Sequence, residues 1–85
     1  MIRKFGGKQL REVTNTDNTR KVLVSYNTPV AVVVGDQLFV TEQKFSVTTS
    51  KHISFYTSKC LPKEVVHISK VSQDMIYTLA RACYS

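Results

Sequence analysis

The sequence holds no tryptophan, only two cysteines, two prolines and three glycines, and half as many acidic residues as basic ones. Each shortage excludes something. A secreted chain of this size needs several disulfides to compensate for a thin core. Cys60 and Cys83 are too few for such a framework, so they read as buried, reduced thiols, with a single bridge between them as the alternative. No apolar run approaches the ~18 residues that cross a bilayer. The N-terminal "MIRKFGGKQLREV" carries basic residues with no apolar stretch after them, unlike a secretory signal. A cytosolic protein without membrane contact is expected.

The six carboxylates, Glu12, Asp17, Asp36, Glu42, Glu64 and Asp74, are scattered singly. No pair is in place for glycoside hydrolysis or two-metal phosphoryl transfer. A cysteine nucleophile needs a histidine within hydrogen-bond reach. On one helix His52 and Cys60 would lie roughly 12 Å apart along the axis, and His67 alternates with Val66 and Ile68 toward solvent. Zinc ligands come in close pairs, whereas these cysteines and histidines stand alone. No catalytic residue, metal or cofactor is expected.

What is present is a globular composition, 42% hydrophobic and 21% charged, in 85 residues, enough for one domain. The net charge of +6 is uneven. Six basic residues against Glu12 and Asp17 give residues 1–21 a charge of +4, and five lysines against Glu64 give residues 44–70 the same. The block between them holds only Asp36 and Glu42. Two basic segments flanking a hydrophobic centre favour a polyanion or an acidic protein surface as partner, although lysines also serve plain solubility.

Residues 1–20 read as a basic N-terminal arm and loop, in which "KQLREV" could be a short strand or a helical turn. "TNTDNTR" (14–20) is a loop of side chains that bond their own backbone. Residues 21–85 read as a single α+β domain. "KVLVSY" (21–26) is a strand, and Pro29 suits a strand's first residue or an edge. "VAVVV" (30–34) is a strand covered on both faces. Gly35-Asp36 is a type II′ hairpin connection to "QLFVT" (37–41), with Leu38 and Val40 on one face and Phe39 and Thr41 on the other. A middle helix, about Ser50 to Lys59 with Thr48 or Thr49 as cap, puts Ile53, Tyr56 and Cys60 on one stripe beside Phe55, and Leu61-Pro62 ends it. "EVVHI" (64–68) reads as a strand. A terminal helix capped by Ser72 docks on the sheet through Met75, Ile76, Leu79, Ala80 and Cys83, with Val71 and Ile76 as a staple.

The stretch "KFSVTTSKHI" carries the candidate site. A helix start presents free N–H groups and the positive end of a dipole, and so attracts anions. Thr48, Thr49 and Ser50 add hydroxyls there, while Lys51 and His52 place cations where the helix dipole opposes them by a few tenths of a kcal/mol. A bound anion resolves that conflict; ordinary capping by the same hydroxyls is the competing reading. Lys44, Thr48, Thr49, Ser50, Lys51 and His52 form the candidate phosphate-binding set, with Lys8, Arg11, Arg20 and Lys21 as a secondary basic patch. Phe45, Phe55 and Tyr56 interleave with the basic residues as stacking faces or as core.

Two segments also carry a resemblance. Ser25, Tyr26, Thr28, Pro29, Val30 and Ala31, followed by Thr41, Lys44, Ser46, Thr48, Thr49, Ser50, Lys51, His52 and Ile53, resemble a set of small tailed-bacteriophage proteins of unassigned function. The resemblance covers about residues 21–53 and implies a phage origin and the cytoplasm of an infected host, without implying an activity. Together these readings suggest a small non-enzymatic phage protein that binds nucleic acid or a nucleotide. The alternatives are a protein–protein inhibitor of a host or defence enzyme, docking on an acidic surface, and an oligomeric protein that sequesters nucleotides.

Overall fold

The structure, a computed structural model, describes residues 2–5, 9–17 and 19–84, the last three by backbone alone. Six strands form one sheet in sequence order: β1 Ile2–Lys4, β2 Leu10–Thr14, β3 Arg20–Ser25, β4 Thr28–Val34, β5 Gln37–Thr41 and β6 His67–Val71. The first five make an antiparallel meander, and β6 runs parallel to β5. Parallel pairing requires a crossover. Helix α1, Val47–Phe55, and a π-helical turn, Tyr56–Cys60, supply it. Helix α2, Gln73–Tyr84, ends the chain.

Each face of the sheet carries its own core. On the α1 side Leu10, Leu23, Val30, Ala31, Val33, Leu38 and Val40 meet Phe5 and Tyr56, with Ile53, Phe55 and Cys60 packed against them. On the other side Val22, Val24 and Val32 meet Ile76 and Ala80, with Val13, Phe39, Val71 and Leu79 around them. The α+β class, the Gly35-Asp36 hairpin and the double coverage of "VAVVV" are therefore observed. Gly35 has φ +61°, as the first central position of a II′ turn requires. Val30 and Ala31 are neighbours yet share one core, because the ladder slips between Leu23 and Val24. This bulge also admits Pro29 as the second residue of a central strand, not its first.

Several elements differ from the sequence reading. The N-terminal segment read as an arm provides β1 and β2 of the same sheet, and "TNTDNTR" is the hairpin between β2 and β3. There the Asn15 side chain accepts from the backbone N–H groups of Thr19 and Arg20 at 2.9 and 3.1 Å. Strand β3 ends at Ser25, and Tyr26 forms the turn with φ +58°. Strand β6 starts at His67, three residues later than "EVVHI" suggests, because Val66 and His67 both donate to the Asp36 carbonyl and so set the register on β5. The cap of α2 is Ser72, whose hydroxyl accepts from Met75 N–H at 3.2 Å. Met75 itself is exposed and lies off the apolar face, while Cys83 is outside the described side chains.

Candidate nucleic-acid interface

Helix α1 begins earlier than the hydroxyl triplet suggests. Its cap is Ser46, in extended conformation, whose Oγ accepts from Thr49 N–H at 3.1 Å, so neither Thr48 nor Thr49 caps. This choice frees the Thr49 side chain to turn inward. The Ser46 hydroxyl donates to Thr49 Oγ1 at 3.2 Å, Thr49 and Ser25 share a bond of 3.2 Å, and Ser25 Oγ lies 2.8 Å from His52 Nδ1. These bonds link Ser46, Thr49, Ser25 and the His52 ring into one chain, in which the imidazole tautomer sets which group donates between Thr49, Ser25 and Nδ1.

A serine hydroxyl against a histidine nitrogen is the arrangement of an activated nucleophile. Ser25 is only 2% exposed and His52 5%, which shuts a substrate out. The relay instead ties α1 to the end of β3, beneath the Tyr26 ring that tilts over His52 at 5.8 Å. Tyr26 is held in its turn from both sides, donating N–H to Gln9 at 2.7 Å and accepting from Arg11 at 3.1 Å. Replacing Ser25 with alanine removes the middle of the relay and is expected to lower the unfolding free energy by about 1–3 kcal/mol in urea titrations. A loss below about 0.3 kcal/mol would contradict the tie.

The remaining predicted contact residues point outward. Lys44, Thr48, Ser50 and Lys51 are exposed, so the set divides by face: Thr49 and His52 serve the interior. An open groove of about 430 Å³ runs along the outer side of α1 and the π-helical turn, lined by Val47, Ser50, Lys51, Ser54, Phe55, Ser58 and Lys59. It adjoins a second concavity of about 380 Å³ that adds Lys44, Phe45 and Ser46. Sequence reasoning missed Ser54, Ser58 and Lys59. Their signal is the recurrence of serine at 50, 54 and 58, one helical turn apart. No carboxylate among the described residues lines either groove, and Lys44, Lys51 and Lys59 have no ion pair among them.

The secondary patch is not one surface. Arg11 holds the Tyr26 carbonyl, Arg20 donates to the Leu79 carbonyl at 3.2 Å, and Lys21 lies 3.9 Å from Glu12. Arg11 pairs with Val24 and Arg20 with Val34, on the α2 side of the sheet, whereas Lys21 pairs with Val33 on the α1 side. Lys8 lies outside the described residues. Cys60 is a half-buried free thiol and His67 is exposed. Among the described residues no cluster of three potential metal ligands occurs, and no helix is long and apolar enough to cross a membrane.

Fold and groove together define a small α+β domain with one basic, hydroxyl-rich helical face. The chain belongs to the Family of unknown function (DUF8033), whose model matches residues 3–74. No curated protein and no solved structure matches it.

Proposed function

We propose that this is a non-enzymatic phage protein that binds nucleic acid through the outer face of α1 and the π-helical turn, acting in the cytoplasm of the infected host. The observation that carries the reading is the groove itself. Lys44, Lys51 and Lys59 border a continuous surface that also presents Phe45, Phe55 and the hydroxyls of Ser50, Ser54 and Ser58, with no acid among its described lining residues. Lysines supply phosphate contacts, serines donate to phosphate oxygens, and an exposed phenyl ring offers a stacking face. Thr49 and His52 contribute indirectly, by anchoring the helix that presents these groups. The phage origin rests on the resemblance of Ser25–Ala31 and Thr41–Ile53 to small tailed-phage proteins.

Fluorescence anisotropy with a labelled single-stranded oligonucleotide tests the reading. Binding is expected at about 50 mM salt and should be lost steeply toward about 200 mM, as displaced counterions dictate. An absence of binding at low salt removes the proposal.

A further inference from the structure

The outer face of α1 is basic at its rim and apolar within. Lys44, Lys51 and Lys59 border it, and no carboxylate is among its described lining residues. Val47, the first residue of α1, is 72% exposed, and Phe45, just before the cap, is 42% exposed. The two share one concavity. Among the described residues no other ring packs against Phe45. Phe55 lines the groove further along, half-buried and held nearly at right angles to Phe5 with 5.8 Å between centroids. Contiguous apolar surface rimmed by polar groups marks a binding site.

A ligand that satisfies both features carries negative charge along its backbone and flat apolar faces between the charges. A single strand has this form, because unpaired bases offer faces that stack on aromatic rings. A duplex does not. Its bases cover one another, leaving phosphates and groove edges outside. The side chains that pair bidentately with those edges are Arg, Lys, Asn and Gln. Of these only lysine lines the groove among the described residues. Shape agrees with chemistry. A major groove admits a projecting helix, whereas the outer side of α1 is recessed by about 430 Å³, with about 380 Å³ more beside Phe45.

We infer that the groove selects unpaired nucleic acid over duplex, with a base stacked on Phe45, Val47 and Phe55 as its apolar wall, and phosphates held by the lysines. This selectivity rests on the groove being the nucleic-acid face proposed above. Because the base is held by its face and not its edges, sequence matters little.

Equilibrium competition tests the selectivity. Wild-type protein bound to a labelled single strand is titrated, at about 50 mM salt, with the unlabelled strand or with its blunt-ended duplex. The single strand is expected to compete at least about 10-fold better per phosphate, in keeping with one stacked base. Phe45→Ala should weaken single-strand binding roughly 5- to 100-fold. Its salt slope and its duplex binding should stay unchanged, since a ring displaces no counterion. Phe45→Trp should keep the affinity and Phe45→Leu should lose it, with the thermal midpoint of each unchanged; stacking is thereby separated from plain apolar contact. Duplex and single strand competing equally per phosphate, or Phe45→Leu binding as tightly as wild type, overturns the inference and leaves the nucleic-acid reading standing. Binding of neither form removes both.

Discussion

Replacing Tyr56 with alanine is expected to remove about 3–5 kcal/mol of unfolding free energy, a large part of the roughly 4–13 kcal/mol available to a domain of this length. Among the described residues Tyr56 is the largest fully buried side chain, and it packs in the α1-side core with Phe5 edge-on at 6.2 Å. Its hydroxyl also donates to Glu12 Oε2 at 2.5 Å. Glu12 is a carboxylate at 5% exposure, and its other oxygen has Lys21 at 3.9 Å. Tyr56→Phe separates the two contributions. It keeps the ring but leaves the carboxylate without its short donor, at a cost of about 1–3 kcal/mol. Chemical denaturation of both variants should show the full loss for alanine and a partial loss for phenylalanine. Equal losses would mean that ring packing contributes nothing.

The same residue sets an alkaline limit on stability. Burial, reinforced by the bond to Glu12, pushes the Tyr56 phenol far above its ordinary value of about 10. The folded state keeps this proton where the unfolded chain releases it. Its contribution is therefore intact below about pH 10 and is lost as pH rises beyond that. The difference in stability between wild type and Tyr56→Phe should narrow above about pH 10 and stay constant between about pH 6 and 9.

The second large effect concerns binding. The triple variant Lys44→Ala, Lys51→Ala, Lys59→Ala is expected to bind an oligonucleotide roughly 10- to 100-fold more weakly at low salt, taking about 0.5–1 kcal/mol for each exposed charge contact. Its salt slope should fall by about 2, near 0.7 for each lysine on a single strand. All three side chains are exposed and unpaired among the described residues, so the fold should be unaffected. A variant at Arg11 and Arg20 provides the contrast. Both guanidiniums are occupied by backbone carbonyls on the other side of the sheet, so their loss should affect stability more than the salt slope. Equal salt slopes for the two variants would indicate binding by bulk charge.

The meander was legible because β-branched runs are punctuated by Pro29 and Gly35, and α2 because its cap and apolar face recur at helical spacing. The start of α1 was harder, since its inward positions are Thr49 and His52, and a polar stripe gives no hydrophobic period. Four hydroxyl residues between 46 and 50 offer equivalent local caps. What selects Ser46 is tertiary, the partnership of Thr49 with Ser25 on a distant strand. Strand β2 was ambiguous for a related reason. Its inward-facing Glu12 looks like a surface residue until Tyr56, 44 positions away, supplies a donor.

The π-helical turn also had no local signature beyond Thr57, whose hydroxyl donates to the Ile53 carbonyl at 2.8 Å. Wider turns of this kind often occur at functional sites. Here the turn brings Ser58 and Lys59 onto the groove that α1 begins. Of the predicted contact set, Lys44, Ser50 and Lys51 line that surface and Thr48 is exposed close by. The inward turn of Thr49 and His52 depends on a network that no local pattern encodes.

Backbone amide shifts on titration with a short single-stranded oligonucleotide test the central claim most directly. The account predicts that perturbed resonances concentrate at Lys44–Val47, Ser50, Lys51, Ser54, Ser58 and Lys59, with β1 and the outer face of α2 silent. Shifts spread evenly over the basic residues, or centred on Arg11 and Arg20, would contradict it.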